Sequence, residues 1–254
     1  MAIFDKLPTD FLIIYKEWIS REIQNLPVEI REIKRTDRKQ LYLYVKYMSN
    51  SKTFSSTSPN AQEAIREYNE YKRWKEVISR IDTSLMKRGN IDTLSIEYKF
   101  TPPTSSHNKE LFESIKRDTA ESSPSAFEAS IKHNDIFVRS KSEDNSASIY
   151  DELGLEYLYE AVIDGFNYLP DFTIYIPFLD IIIIHEHFGK MSDMEYRARF
   201  HKKIDAYMDM GFILGTNLLV TIESRQQVTS FEHLENQIAA FITNAFFEKM
   251  SKTH

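Results

Sequence analysis

Hydrophobic side chains recur every three or four residues along several segments of the chain, and this spacing predicts amphipathic helices. One helix is predicted over residues 9–26. A longer one begins after Ser58, because Ser58 is a typical N-cap and Pro59 a typical first helical residue. It runs to about Leu85, with an aromatic and aliphatic face that we expect to pack in a core. Further helices are predicted over residues 109–117, 140–153, 194–210 and 230–249.

A two-residue alternation of apolar and polar positions marks the predicted strands. It is clearest over residues 40–47, which are expected to form a half-buried hairpin with residues 29–34. Residues 181–184 are apolar on both faces, as in a central strand covered by helices on both sides. The other strands of the second half are predicted over residues 157–162, 171–176, 179–187 and 217–223.

The order of these elements predicts an α/β (α+β) fold, with a mixed central sheet flanked by helices and an N-terminal helix–hairpin–helix region. Stretches rich in Pro and Ser place a domain boundary between about residues 119 and 130. Residues 1–125 would form the helical region with the hairpin, for substrate binding or assembly, and residues 126–254 the second domain.

Charge is distributed unevenly between the two halves. The net charge is −6, but residues 1–125 hold 21 Lys and Arg against 18 Asp and Glu, whereas the remainder holds 11 against 20. The first half is therefore the better electrostatic platform for a polyanion such as DNA.

The composition narrows the class of protein further. A hydrophobic share of 42% is enough for a real core, and the absence of cysteine excludes disulfides and thiolate-ligated metal sites. No segment approaches the roughly 20 apolar residues of a membrane span, and the first residues lack a secretory pattern. We therefore expect a cytoplasmic protein without a membrane partner.

Three carboxylates stand out against this background. Asp171 and Glu186 fall on two successive apolar strands, and Glu143 lies upstream near the start of a predicted helix. Carboxylates set into such segments are costly unless they are paired or bound to a cation. Their grouping predicts a divalent metal site and, with it, phosphodiester chemistry.

Four short motifs occur in order along the second half: Arg139 to Glu143 (RSKSE), Leu169 to Phe172 (LPDF), Glu186 to Gly189 (EHFG), and Lys202 to Tyr207 (KKIDAY) ahead of Gly211. Together they resemble the PD-(D/E)XK nuclease superfamily, and in particular a group of its bacterial and phage members. The resemblance covers about residues 136–225, and extends more weakly to residues 29–85. It implies a restriction-endonuclease-like fold and Mg²⁺-dependent (or Mn²⁺-dependent) endonucleolytic cleavage of DNA.

The resemblance also implies roles for individual residues. Asp171 and Glu186 would be metal ligands, Glu143 a further or water-mediated ligand, and the backbone carbonyl of His187 an additional one. The superfamily expects a catalytic lysine two residues after the glutamate, but that position is Phe188. Lys203 on the following helix is the closest substitute, with Lys202 as its backup. Arg139, Lys141 and Lys202 would contact the substrate.

Alternative interpretations remain open at this point. The missing lysine favours a second hypothesis, a catalytically degenerate module that binds nucleic acid or a protein partner. The acidic second half favours a third, a phage or mobile-element protein that inhibits a host factor by mimicking nucleic acid. A homo-oligomer is also compatible with the sequence.

Single residues of the proposed site have plainer interpretations as well. Lys203 could be a solvated helix lysine, and Asp171 a turn residue. Glu160 and Glu223 could be accessory site residues or ordinary strand-end carboxylates. The His185 and His187 pair could bind zinc, but hydrogen-bonded histidines are the plainer interpretation.

Overall fold

The computed structural model describes residues 2–34, 41–89, 106–122, 130–224 and 229–251. The fold is mixed α+β, as the sequence predicts. The chain divides into two compact units, and the division falls inside helix α2 (Thr9–Glu22), which follows the short helix α1 (Ile3–Lys6). We call Leu12–Glu97 the hairpin unit, and Met1–Phe11 together with Tyr98–His254 the mixed-sheet unit.

The hairpin unit contains an antiparallel sheet of three strands in the order β1 (Glu29–Lys34), β2 (Leu41–Lys46) and β3 (Ser51–Ser55). The predicted hairpin is thus confirmed, with a third strand that was not expected; the predicted turn at residues 35–39 lies outside the described residues. Leu43 and Val45 are buried, because the two-residue alternation turns them toward Ala61 and Ala64 of helix α3.

Helix α3 (Pro59–Lys87) begins where predicted, since the Ser58 hydroxyl accepts a hydrogen bond from the Ala61 amide at 3.2 Å. Trp74 and Ile81 of its aromatic and aliphatic face are buried, which confirms their predicted place in a core. Tyr68 and Tyr71 are only half-buried and stack on each other with ring centroids 6.4 Å apart.

The mixed-sheet unit is built on four strands in the order β6 (Glu156–Tyr159), β7 (Phe172–Ile176), β8 (Ile181–Phe188) and β9 (Leu218–Ile222). The first two pairings are antiparallel and the last is parallel. Each strand lies within a few residues of its predicted position. Strand β8 is buried from Ile182 to Phe188, which agrees with the predicted central strand.

Helices cover both faces of this sheet. Helices α4 (His107–Glu121) and α6 (Met194–Asp209) pack on the face that carries Tyr175, Ile182 and Ile184. Helices α5 (Lys141–Leu153) and α7 (Phe231–Ser251) pack together with α1, and Tyr150 of α5 contacts Phe172 on the opposite face. A short hairpin, β4 (Ile131–His133) with β5 (Ile136–Val138), precedes α5 and was not predicted.

The compact units differ from the domain division expected at residues 125 and 126. Helix α4 belongs to the mixed-sheet unit, because Phe112 stacks on Tyr175 with ring centroids 5.4 Å apart and Asn108 donates a hydrogen bond to the Asp180 carbonyl at 2.8 Å. The Pro- and Ser-rich residues 102–105 and 123–125, which suggested the boundary, lie outside the described residues.

Candidate functional site

Asp171 and Glu186 lie side by side at one end of the β7–β8 pair. The register pairs Phe172 with His185, so one further step places Asp171 opposite Glu186. Directly opposite residues of an antiparallel pair project from the same face of the sheet, with Cβ atoms about 5 Å apart. The Asp171 carboxylate also accepts a hydrogen bond from the His187 amide at 2.6 Å, which fixes it across the strand end. The two carboxylates predicted from the sequence are therefore neighbours.

Helix α6 brings Lys203 to this pair. The Lys203 ammonium lies 2.7 Å from Glu186 Oε1 and 2.8 Å from Glu186 Oε2, and it donates a further hydrogen bond to the Leu169 carbonyl at 3.0 Å. Tyr207, one helical turn later, donates a hydrogen bond from its hydroxyl to Glu186 Oε1. Glu186 is only 1% exposed, so both partners offset the cost of burying its charge.

Glu143 is held at the start of α5 by a local capping arrangement. The Ser140 hydroxyl accepts a hydrogen bond from the Glu143 amide at 3.2 Å and donates to Glu143 Oε1 at 2.9 Å. Glu143 Oε2 accepts from the Arg139 amide at 2.8 Å and from the Tyr159 hydroxyl at 2.7 Å. The buried carboxylate is thereby oriented by three hydrogen-bond donors: the Ser140 hydroxyl, the Arg139 amide and the hydroxyl of Tyr159 on strand β6.

Glu160 adds a fourth carboxylate to the site. It follows β6 with a φ of 49°, a left-handed conformation uncommon for a residue with a side chain, and its amide donates to the Asp171 carbonyl at 3.4 Å. Its side chain forms an ion pair with Arg139. Two cations, Arg139 and Lys203, thus face four carboxylates.

The pKa values show that these charges act on one another. Burial, and after it the Glu186 carboxylate, raises the pKa of Asp171 well above its ordinary range; Lys203 opposes this and Glu143 adds to it. Burial also raises the pKa of Glu186, against the opposing charge of Lys203 and the hydrogen bond from Tyr207. Burial likewise raises the pKa of Glu160, with Arg139 lowering it and Glu143 raising it. One electrostatic cluster therefore surrounds Lys203, and it consists of the carboxylates of Glu143, Glu160, Asp171 and Glu186.

Phe188, at the position where the resemblance to the superfamily predicts a lysine, is a core residue. It is 5% exposed and packs edge-to-face against Phe200 of α6, with ring centroids 4.7 Å apart. The same helix carries both Phe200 and Lys203, so α6 fills the space beside the strand with an aromatic ring and supplies the cation from its next turn.

His185 and His187 project from the opposite face of β8. His185 is bonded on both ring nitrogens, to the Tyr150 hydroxyl at 2.8 Å and the Thr221 hydroxyl at 2.9 Å, and burial lowers its pKa to about 3. His187 Nδ1 lies 2.9 Å from the same Thr221 hydroxyl, and burial lowers its pKa. Both side chains have hydrogen-bonded partners in the structure, as the plainer interpretation of the pair expects. Glu223 joins this opposite group, because its carboxylate lies 3.7 Å from His187 Nε2. Glu223 also accepts hydrogen bonds from the Ser142 hydroxyl at 2.7 Å and from the Thr229 amide at 3.0 Å.

The three residues expected to contact substrate have different surroundings. Arg139 forms an ion pair with Glu160, and Lys141 forms one with Asp144 at 2.5 Å. Lys202 is exposed on α6 beside Lys203, and Arg199 is exposed one turn before Lys203. Sequence reasoning did not assign a role to Tyr159 or Tyr207, whose hydroxyls donate hydrogen bonds to Glu143 and Glu186. Tyr207 could have been found from its spacing of four residues from Lys203, which places the two on one helix face.

The donor set suits a hard cation. Mg²⁺ and Mn²⁺ prefer carboxylate oxygens, which Asp171, Glu186 and Glu143 provide. The cluster contains four carboxylates and two cationic side chains, so its carboxylates outnumber its cations. Across the described ranges, however, no group of three or more His, Asp or Glu side chains is already arranged to hold a metal ion. The carboxylates are instead oriented by Lys203, Tyr207 and the Ser140 cap.

Comparison with protein-family models, with curated proteins and with solved structures gives no match for this chain. In the described part of the chain, no helix combines the length and the apolar character that crossing a membrane requires.

Proposed function

We propose that this protein is a Mg²⁺-dependent nuclease that hydrolyses phosphodiester bonds of DNA, with the restriction-endonuclease-like fold of the PD-(D/E)XK superfamily. Support for the fold comes from the mixed four-stranded sheet between helices, with Asp171 directly before its second strand and Glu186 on its third. Glu143 at the start of the helix that precedes the sheet agrees with the same assignment.

One observation carries the proposal: Asp171, Glu186 and Lys203 converge on one site, although Lys203 is 17 residues from Glu186 in the sequence. A strand lysine would reach this place from position 188, and here the cation comes from α6 instead. The aspartate, glutamate and lysine that the motif requires are thus all present, with the lysine on a different element.

Asp171 and Glu186, with Glu143 beside them, would hold the cation. When bound, Mg²⁺ would neutralise the negative charge that develops on the phosphate and lower the pKa of water for the attack. Burial raises the pKa of Asp171 most, and the neighbouring Glu186 carboxylate raises it further; this second cause is the one that a bound divalent cation would relieve.

The protein's own residues would do the remaining work. Lys203 holds the Glu186 carboxylate in one orientation and presents a positive charge beside it, where it can stabilise an oxyanion. Tyr207 restricts the other side of the same carboxylate. Lys202 and Arg199, both exposed on α6 near Lys203, would contact phosphates of the DNA backbone.

The test is cleavage of supercoiled plasmid and of labelled single-stranded and double-stranded oligonucleotides with Mg²⁺ or Mn²⁺. Asp171→Asn and Glu186→Gln should each abolish cleavage while the circular dichroism spectrum stays unchanged. Glu232→Gln, an exposed carboxylate of α7, is the matched control and should cleave like wild type. Equal cleavage by wild type and both site variants would contradict the proposal.

A second candidate function rests on the pairing of Glu186. Because its carboxylate is already bonded by Lys203 and Tyr207, the site can be stable without a metal, as expected of a degenerate module that binds nucleic acid or a protein partner. Calorimetry distinguishes the metal-dependent nuclease from the degenerate binding module. Mg²⁺ or Mn²⁺ binding that is lost in Asp171→Asn supports the nuclease, whereas DNA binding without any metal binding supports the module.

A further inference from the structure

Glu223 follows strand β9 and contacts the sequence neighbours of two candidate site residues. The Ser142 hydroxyl, next to Glu143 in the first turn of α5, donates a hydrogen bond to Glu223 Oε1 at 2.7 Å. The other carboxylate oxygen, Oε2, lies 3.7 Å from Nε2 of His187, the residue after Glu186 on β8. Glu223 therefore links the helix turn that carries one site carboxylate to the strand end that carries another.

Both the backbone and the side chain of Glu223 are held in place. Its amide donates to the Phe188 carbonyl at 2.8 Å, and its carbonyl accepts from the Met191 amide at 3.2 Å. The Thr229 amide donates a second hydrogen bond to Oε1 at 3.0 Å. The side chain is only 14% exposed. A carboxylate fixed in this way can set the position of the groups that it contacts.

The charge of residue 223 acts on the His187 ring. A glutamine could accept the hydrogen bonds from Ser142 and Thr229 equally well, because both go to the single oxygen Oε1. Among the described residues, no lysine or arginine forms an ion pair with Glu223, although a largely buried carboxylate without such a partner is costly. The group that faces Oε2 is His187 Nε2, so the ring is where a carboxylate differs from an amide.

A negative charge beside His187 Nε2 favours the ring tautomer with its proton on that nitrogen. Because burial disfavours charge, the rings of His187 and His185 each carry a single proton. His187 Nδ1 is then an acceptor, and the Thr221 hydroxyl, 2.9 Å away, donates to it. Thr221 in turn accepts from His185 Nε2, also at 2.9 Å, which leaves His185 Nδ1 to accept from the Tyr150 hydroxyl at 2.8 Å. Glu223 thus sets the direction of a hydrogen-bond chain that returns to α5 at Tyr150.

We propose that Glu223 is a positioning residue of the candidate site: it holds the first turn of α5 against the end of β8 and keeps the His187 proton on Nε2. Glu143 lies on that turn. At the strand end, the His187 amide donates to Asp171 at 2.6 Å, and Glu186 precedes it in the strand. The part of this inference that concerns cleavage rests on the proposed function, whereas the part that concerns the His187 proton does not.

Heteronuclear NMR of the histidine ring nitrogens tests the His187 proton without DNA or metal. Wild type should carry this proton on Nε2. In Glu223→Gln the side-chain amide presents a donor in place of Oε2, so the proton should move to Nδ1. Glu232→Gln, an exposed carboxylate of α7, is the matched control and should leave the ring signals unchanged. A wild-type proton on Nδ1, a doubly protonated ring, or an unchanged tautomer in Glu223→Gln would overturn the proposal.

Plasmid cleavage tests the positioning role. Glu223→Gln should lower kcat by about tenfold or more with little change in KM, since a misplacement of about 1 Å can cost about a hundredfold. Ser142→Ala removes only the contact with α5, so kcat should fall while the His187 proton stays on Nε2. Unchanged kcat in either variant would contradict positioning by Glu223. If wild type does not cleave, the proposed nuclease function fails, and the NMR result still decides whether Glu223 controls His187.

Discussion

Lys203 of α6 and Glu186 of β8 form an ion pair with both carboxylate oxygens within 2.8 Å of the ammonium. Glu186 is almost fully buried, whereas the Lys203 side chain is 18% exposed. The cation is thus anchored on the sheet with part of its surface toward solvent. This geometry offsets the buried charge of Glu186 and leaves part of Lys203 exposed, as its proposed role beside an anionic substrate would require.

Lys203→Ala is expected to abolish metal-dependent cleavage and to lower the free energy of unfolding by about 3 kcal/mol, because it leaves the Glu186 charge with one partner fewer. Lys109→Ala is the matched control: this exposed lysine of α4 has no role at the proposed site, so its loss should leave cleavage unchanged and alter stability by less than about 0.5 kcal/mol. Urea denaturation and plasmid cleavage measure the two effects. Similar behaviour of both variants would show that Lys203 is an ordinary helix lysine.

Phe188→Lys, which introduces the lysine that the superfamily motif expects, should destabilise the protein rather than improve the site. Phe188 is packed against Phe200 and Tyr196, so the change should cost about 3–5 kcal/mol, as the loss of a buried phenylalanine does. Phe188→Leu keeps the position apolar and should cost less than about 1.5 kcal/mol. Denaturant midpoints of the two variants give the comparison, and a Phe188→Lys variant as stable as wild type would contradict the core assignment.

Ser140→Ala should remove the cap of α5 and release Glu143. We expect a loss of about 1 kcal/mol, typical of an N-cap, together with a clear fall in the cleavage rate. Ser58→Ala removes the corresponding cap of α3 in the hairpin unit and should cost a similar amount. Cleavage at saturating DNA should fall only in Ser140→Ala. An equal fall of the cleavage rate in both variants would show that Ser140 affects cleavage only through protein stability.

His133 should make stability depend on pH. Its ring nitrogens lie 2.8 Å from Asp144 and 2.9 Å from Asp151, so both can be donors only when the ring is protonated. Burial opposes that charge, but the hydrogen bonds and charges of Asp151 and Asp144 outweigh burial and raise the pKa of His133.

The raised pKa fixes the sign of the effect: the stabilisation is complete below the ordinary histidine pKa of about 6.5 and is lost as the pH rises through the raised value. The unfolding free energy of wild type should therefore exceed that of His133→Gln by about 1–2 kcal/mol at pH 5.5, with a smaller difference at pH 8.5. Asp144 and Asp151 face the ring, and Lys141 and Tyr157 bond those two carboxylates. Asp151→Asn should remove part of the pH dependence, and a difference independent of pH would contradict the assignment.

Much of the mixed-sheet unit could be predicted because its signals are local. The apolar run of β8 and the caps at Ser140 and Gly154 of α5 fix where those elements begin or end. Strand β3 was missed because it is polar apart from Phe54, and β4 and β5 because three residues are too few to show a period. Helix α4 lies in the mixed-sheet unit and not on the N-terminal side of the expected boundary, since packing on Tyr175 and the hydrogen bond from Asn108 to Asp180 assign it there and have no local sequence signal.

The sequence by itself determined which residues of the site have the right chemistry. Asp171 and Glu186 could be predicted to meet, since two strands joined by a short connection pair in antiparallel register and carry them on one face. Only the tertiary structure decided how their charges are balanced. Packing between elements distant in sequence presents Lys203 and Tyr207 of α6 to Glu186 and fixes the left-handed backbone at Glu160. Hydrophobic periodicity reports which face of an element is buried, and it carries no information on which polar groups meet there.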